Sequence, residues 1–394
     1  MTPKFTPKIM NKKIYALLLA QFLSAFADNA ILFTVIALVM QSTQLATWYV
    51  PALQSVFLIS FILFAPWVGL WADKHPKKYI LITANLIKAA GAGLLLLNIE
   101  PLVAYALVGL GAALYSPAKY GILPELAPKH LLVKANSWIE GSTIFAILLG
   151  MMIGAKLADE SINLALFTTV ILFILSALMS LFLPEHNKLK NQPSASTLKQ
   201  FYQHLRIFLA TTESRFAILN GALFWLAAAT LRVILIAWAP LILLTQSASD
   251  IAELTLFLAI GIIIGSAIVP KIIPLDAIHL VRYPAAMMGV FILILSLMDT
   301  HLEARISLFF IGCAGGMFIV PINAILQDIG QHSIGSGAAV ALQNFFQNIA
   351  MLIGVGVFTY SSSIAIHPII AMLSLGLFIL ISTVLINIKV PKLS

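Results

Sequence analysis

QFLSAFADNA (Gln21–Ala30) sets an aspartate inside a stretch of chain otherwise apolar enough to cross a bilayer. Lys12 and Lys13 precede the run, which continues through ILFTVIALVM to Met40. About 20 apolar residues are enough to span the hydrocarbon core, so Asp28 falls near its centre. A carboxylate there is costly unless it faces a cavity or a partner, which makes it a candidate functional residue. An internal repeat suggests the partner. GAALYSP (Gly111–Pro117) aligns with GGMFIVP (Gly315–Pro321), and Gly150 with Gly354, each pair 204 residues apart. The same offset carries Asp28 onto Arg232, midway along the apolar run Phe216–Leu244. One carboxylate and one guanidinium thus hold equivalent places in two halves, and they are expected to meet in a central, pseudo-symmetric site.

Composition agrees with a membrane protein. Hydrophobic residues make up 61% and charged residues 10% of the 394, against about 25% charged in soluble domains. Mean hydropathy is +1.01. The net charge of +8 does not indicate nucleic acid, because the cations sit in loops between apolar runs. Of the 23 Lys+Arg, 18 fall in one alternate set of loops, with Lys88, Lys119 and Arg232 in or at the ends of spans and Lys156 and Arg305 opposite. Glu100, Asp159, Glu160, Asp250, Glu253, Asp299 and Glu303 also fall on the opposite side. This is the positive-inside pattern, and it predicts cytoplasmic termini. The single Cys313 excludes an intrachain disulfide and multi-cysteine metal sites. No His/Asp/Glu cluster has metal spacing, so no metal or cofactor is expected; His75, His186 and His204 read as loop residues. Ala25-Phe26-Ala27 imitates a leader cleavage site. The apolar run resumes beyond it and the repeat needs the segment, so it is read as an uncleaved first span.

Twelve spans are expected, at about 14–40, 48–72, 79–98, 101–122, 134–158, 163–183, 214–244, 251–272, 282–299, 303–328, 335–360 and 365–388. They divide into an N-terminal six-helix bundle (1–183), a basic linker (184–213) and a C-terminal six-helix bundle (214–394). Within the linker, Leu198–Leu209 has the apolar spacing of a short interfacial helix. The expected fold is an all-α polytopic membrane protein. Six plus six spans with a parallel half-repeat resemble the major facilitator superfamily of transporters. The loop Gly69-Leu-Trp-Ala-Asp73-Lys-His-Pro-Lys77-Lys78 resembles that superfamily's G-x-x-A-D-r-x-g-r-r motif, with Pro76 at the second glycine. The resemblance implies that Gly69, Asp73, Lys77 and Lys78 form a latch between helix ends; a basic turn obeying the positive-inside rule is the plain alternative. Its second-half counterpart, around Gly265–Asp276, is too degenerate to carry the motif. Gly150/Gly154, Gly261/Gly265 and Gly312/Gly316 suit close helix packing, and Pro66, Pro240 and Pro321 can kink or end helices.

The most specific stretch is YSPAKYGILPEL (Tyr115–Leu126), followed by Lys134-Ala-Asn-Ser137 and Glu140. With QFLSAFADNA and Thr230-Leu-Arg232 it resembles the bacterial lysophospholipid transporter LplT family over essentially the whole chain. Ala27 and Gln347 depart from that pattern, the first replacing a glycine and the second an acid. The resemblance implies a bacterial inner-membrane flippase that carries lysophospholipids such as lysophosphatidylethanolamine to the cytoplasmic leaflet. It also implies reacylation there by a cytoplasmic acyltransferase/acyl-carrier-protein synthetase. A monomer is expected.

Such a lipid asks for three kinds of contact. Phosphate calls for the planar donors of an arginine or the point charge of a lysine, and Arg232 fits. An ammonium head calls for a carboxylate, such as Asp28. The chain needs an apolar wall, for which Phe22, Phe26, Phe224, Trp225, Phe345 and Phe346 are candidates. Asp28 and Arg232 also fit a purely structural lock between the halves. Lys119 fits either the phosphate path or a side chain snorkelling to headgroups, and Glu140 fits a partner for Lys119 or part of a gate. Asn29 adjoins Asp28. Lys88, one turn after Asn85, reads as a structural hydrogen-bonding residue. Gln343/Gln347 and Asn344/Asn348 are two i, i+4 pairs on the eleventh span, expected to line a cavity. A proton-coupled exporter of amphipathic drugs, protonated at Asp28 or Glu140, shares the fold and is the alternative reading. An enzyme is not expected, because no histidine is followed five residues later by aspartate and no G-x-S-x-G elbow occurs.

Overall fold

A backbone crossing hydrocarbon must satisfy its own hydrogen bonds, so apolar runs of this length become helices. The computed structural model describes residues 12–41, 49–185, 197–244 and 248–387. Among them, twelve helices are long and apolar enough to cross a membrane. Helices α1 (Lys12–Gln41), α2 (Tyr49–Lys74), α3 (Lys77–Leu96) and α4 (Pro101–Gly121) are followed by the short α5 (Leu123–Leu126). Helices α6 (Leu132–Glu160) and α7 (Ile162–Ser180) complete the first bundle. The second bundle comprises α9 (Thr212–Ile242), α10 (Ala248–Ile272), α11 (Arg282–Leu295), α12 (His301–His332), α13 (Ser336–Ser363) and α14 (Pro368–Asn387). Between the bundles lies α8 (Thr197–Ala210), where an interfacial helix was expected. Pro66, Pro240 and Pro321 lie inside α2, α9 and α12, which continue through them.

The two bundles repeat one packing plan. Helix α1 packs on α6 and α7 as α9 packs on α13 and α14, and α4 joins α2 and α3 as α12 joins α10 and α11. The 204-residue offset is visible in single contacts. Gly150 abuts the Phe26 carbonyl, and Gly354 abuts Thr230, the residue at the offset position. A Cβ at Gly154 would lie 2.5 Å from Ala30 Cα. Gly261 and Gly265 interlock with Gly312 and Gly316 so closely that a side chain on any of the four would strike backbone. The small-residue motifs therefore serve close helix approach.

The halves meet where α2 faces α13 and where α6 faces α10 and α12. Lys74, Lys77, Lys78, Lys129, Lys271 and Arg282 lie at one end of the bundle, here the basic end; Glu100, Asp159, Glu160, Asp299 and Glu303 lie at the other. Hydrogen bonds and ion pairs between the halves cluster in the basic half of the spans. Asp73 accepts from the Gly337 and Ala338 amides (2.8 and 2.7 Å). Ser336 donates to the Gly121 carbonyl (2.9 Å), and Lys129 pairs with Asp328 (3.3 Å).

Candidate functional site

The intramembrane charges lie in three places, two clusters and, apart from both, Arg232 of α9. In the N-terminal half, α1 presents Ser24 and Asp28 one turn apart toward α3 and α7. Lys88 of α3 donates to Asp28 Oδ2 (2.8 Å) and to Ser24 Oγ (2.7 Å). Ser24 donates to Asn85 (2.9 Å), Asn85 to Ser176 of α7 (2.9 Å), and Ser176 to the Ala20 carbonyl (2.6 Å). Lys88 is wholly buried, and its ammonium lies over the rings of Tyr115 (4.6 Å) and Phe173 (5.2 Å). Asp28 keeps 21% of its side chain exposed, although its Oδ1 is buried with no hydrogen bond.

This corrects the expected Asp28–Arg232 pair. The partner of Asp28 is Lys88, from its own bundle, and the structural hydrogen-bonding role read for Lys88 includes carrying the counter-charge. Equivalence by repeat is not adjacency. Residues related by the pseudo-symmetry meet only if both face the axis, and Asp28 is turned to α3. Arg232 is exposed and makes no hydrogen bond or ion pair with any described residue; Ile236, one turn on, is exposed as well.

A second cluster lies nearer the basic end. Lys119 and Glu140 are both buried but form no ion pair. Tyr120 stands between them: its ring lies 4.0 Å from the Lys119 ammonium, and its hydroxyl donates to Glu140 Oε1 (2.6 Å). Glu140 also accepts from Asn323 of α12 (2.9 Å), and Asn323 accepts from Gln343 (2.8 Å). Asn136 and Gln327 exchange two hydrogen bonds. Asn344 donates to Ser116 of α4 (2.8 Å).

Gln343 and Asn344 tie α13 to α12 and α4, Gln343 and Gln347 both pack where α9 narrows to Gly221, and Asn348 bonds back to Asn344. Asn29 bonds to its own helix at Ala25 (2.8 Å). Phe22 and Phe26 are neighbours, joined by Phe145 of α6, which the sequence reading missed. Phe224 is buried against Trp225 and Phe318, inside the second bundle. Phe345 contacts Phe346 and packs on Phe201 of α8, so it forms no common wall with Phe22. The six aromatics are therefore dispersed.

The motif loop carries Asp73 across the seam between the halves. The two amides bound by Asp73 are first-turn donors of α13, so a carboxylate from one half caps a helix of the other. Lys77 pairs with Glu125 (2.7 Å) and lies 3.9 Å from Asp73. Gly335 sits beside Asp73 at φ +100°, where an added Cβ would strike the carboxylate. Lys78 stays out of these contacts, over Tyr79 (5.6 Å). His204, read as a loop residue, lies on α8 and lines a small cavity together with Gly69 and Ala338; burial and nearby Lys74 push its imidazole pKa down. His186 and Asp250 fall outside the residues whose side chains are described. Among the described residues no group of three or more His, Cys, Asp or Glu could hold a metal ion.

Comparison with known proteins gives the wider setting. Residues 17–355 match the Major Facilitator Superfamily. The lysophospholipid transporter LplT of Klebsiella pneumoniae is 37% identical over 373 residues, 94% of each chain. The LplT of Photorhabdus laumondii is 36% identical over 371 residues, 93% of each. Among solved structures, the transporter FucP superposes with a TM-score of 0.75 at 16% identity, covering 95% of this chain and 97% of its own. The human organic anion transporter MFSD10 superposes at 0.76 and 12% identity, covering 95% and 99%. At these identities the two structures speak for the fold alone. With the sequence relatives, the assignment is direct: this multi-pass membrane protein belongs to the major facilitator superfamily and, within it, to the lysophospholipid transporter LplT family.

Proposed function

We propose that the chain is a lysophospholipid flippase of the bacterial inner membrane, monomeric, with its basic end and both termini in the cytoplasm. It carries lipids such as lysophosphatidylethanolamine to the cytoplasmic leaflet, where an acyltransferase/acyl-carrier-protein synthetase reacylates them; the carrier itself makes and breaks no covalent bond. Residues 1–183 and 214–394 are the two rocking units and 184–213 links them. The observation that carries this reading is Arg232, a guanidinium in mid-membrane, exposed and without a protein partner, in a chain whose relatives are named lysophospholipid transporters. Its planar donors suit a phosphodiester. Lys119 adds a second cation toward the basic end. Asp28 meets the polar head while Lys88 holds it in place, and Glu140 works with Asn323 as part of the gate. Phe22 and Phe26 supply apolar wall for the acyl chain.

The test is reconstitution. Liposomes containing the full chain receive fluorescent lysophosphatidylethanolamine in the outer leaflet, and inward movement is followed by loss of extraction to albumin, with and without a proton gradient. Movement well above protein-free liposomes is expected. Movement no faster than in protein-free liposomes under either condition refutes the assignment.

A further inference from the structure

Helix α8, TLKQFYQHLRIFLA (Thr197–Ala210), lies outside the membrane spans, between the bundles. Its inner face is committed to the protein. Gln200 and Phe208 are buried, Phe201 meets Phe345 of α13, and His204 lines a small cavity with Gly69 of α2. The helix packs on α2, α9 and α13, so it rests on both halves and its rotation about its own axis is set.

That rotation decides what faces outward. Leu198, Lys199, Tyr202, Gln203, Arg206 and Ile207 are exposed. Their order is regular. Leu198, Tyr202, Leu205 and Leu209 recur at i, i+4, i+7 and i+11 and form one apolar edge. Lys199 and Arg206, at i and i+7, run beside that edge. Interfacial helices are built this way: the apolar edge enters the border of the hydrocarbon, a tyrosine ring sits at head-group level, and the cations stand among the head groups. In water alone, exposed Leu198 and Tyr202 would only cost free energy.

The protein does not answer the charge on this face. Helix α8 has no acidic residue, and the first acid after it is Glu213, in the opening turn of α9, where a carboxylate suits the helix dipole. At the same end Lys77 pairs with Glu125 and Lys129 with Asp328. Lys199 and Arg206 form no ion pair or hydrogen bond with any described residue. Lys74, at the end of α2, is exposed and equally unpaired, and it lies close enough for its charge to act on His204.

We propose that the outward face of α8, together with Lys74, binds an anionic phospholipid of the leaflet at the basic end, with the head-group phosphate on Lys199 and Arg206 and the chains along Leu198 and Tyr202. The occupant is a resident lipid, not cargo. Arg232 lies 20 residues beyond the start of α9, about 30 Å at the helical rise, so the two sites are separate. The lipid site stands whether or not the chain carries lysophospholipids.

The test uses the full chain with Cys313→Ser and Gln203→Cys, labelled at the new thiol with a bimane fluorophore. It is reconstituted in phosphatidylethanolamine vesicles containing brominated phosphatidylglycerol or, at equal mole fraction, brominated phosphatidylcholine. Bromine quenches only at close range, so the ratio of quenching reports which lipid lies beside α8. At low salt phosphatidylglycerol should be enriched there at least about fivefold over phosphatidylcholine. Lys199→Gln with Arg206→Gln should bring the ratio to about one. Lys134→Gln with Lys271→Gln removes two exposed cations elsewhere at the same end and should keep at least about half of the enrichment. Leu198→Ser with Tyr202→Ser should weaken quenching by both lipids alike. Equal quenching by the two lipids in the labelled parent overturns the site. So does a preference that survives the loss of Lys199 and Arg206, or one lost equally in the Lys134/Lys271 variant, since either reduces it to the general pull of a basic end on an anionic leaflet.

Discussion

The two halves share a backbone plan and differ in their chemistry. In the first, Asp28 and Lys88 neutralise each other inside one bundle, with Ser24, Asn85 and Ser176 completing the network. At the 204-residue offset the second half has Arg232 for Asp28, Ile292 for Lys88, Ala228 for Ser24, Gly289 for Asn85 and Leu380 for Ser176. Where the network would sit there is instead an apolar cavity of ≈ 30 Å³, lined by Ala228, Leu231, Met288 and Ile292 among others. One half therefore carries a charge already matched to a neighbour and the other a charge matched to nothing. A matched pair contributes mostly to holding its bundle together, while an unmatched cation remains available to a ligand. On the function proposed above, the repeat has kept the helix contacts while giving the first half the matched charge that meets the head group and the second half the free charge for phosphate.

The largest effect expected on the fold comes from breaking the matched pair. Lys88→Met leaves the Asp28 carboxylate buried without its cation, a change that costs about 3–5 kcal/mol where a buried pair loses one member. Thermal unfolding in detergent should show it as a much lower midpoint, and adding Asp28→Leu should recover most of the loss. Equal stability of Lys88→Met and the unaltered protein would mean that the pair does not hold the bundle. Exchanging the charges, Asp28→Arg with Arg232→Asp, sets an arginine against Lys88 and should fail to fold; a stable exchanged protein would require Asp28 to face Arg232 after all. The converse experiment builds the pair into the second half. Ile292→Lys alone should destabilise, and Arg232→Asp added to it should restore part of the loss by a coupling of about 1–3 kcal/mol.

A smaller effect separates the halves at their equivalent glycines. A methyl at Gly150 meets the Phe26 carbonyl, which is backbone and has little room to yield. At Gly354 it meets the Thr230 hydroxyl and, at 3.0 Å, Leu226 Cγ, both on side chains. Overpacking costs about 1–3 kcal/mol. Gly150→Ala should lie at the upper end and Gly354→Ala at the lower, as read by denaturation midpoints. The reverse order would show that α1 shifts on α6 more easily than α9 repacks on α13.

How far the sequence reaches can be judged from the same residues. The spans are legible because bilayer thickness sets a length for each apolar run, and the repeat because Gly111, Pro117 and Gly150 recur at fixed spacing. Asp73 was legible through its motif, and its place at the start of α13 follows from the charge that helix ends prefer. The partner of Asp28 was not legible. Lys88, Lys119 and Arg232 all fall within or at the ends of spans, and choosing among them needs the rotation of each helix about its axis, which hydropathy leaves open. Asn136 and Gln327 were not legible as partners either. A neutral amide near a helix end carries no charge to betray its partner, so their exchange of hydrogen bonds emerges only once α6 and α12 are placed side by side. Phe145 was missed because one more aromatic in an apolar run is no signal.

Arg232 should show the smallest effect on the fold. It makes no protein contact that truncation would break, so Arg232→Ala should shift stability by no more than about 0.5 kcal/mol, as for exposed positions without partners. Its effect on transport should be large. If the guanidinium receives a phosphodiester, its loss removes a charge-assisted contact in a partly desolvated place, and Arg232→Lys should recover only part because an ammonium lacks the planar pair of donors. Uptake of lysophosphatidylethanolamine by Arg232→Ala should fall at least about tenfold, with Arg232→Lys between it and the unaltered protein. A variant that is both stable and fully active would leave the second half without its free charge as a binding group, and the division of duties between the halves would have to be abandoned. A variant that is inactive because it unfolds would place Arg232 beside Lys88, as a structural charge whose partner belongs to another state of the carrier.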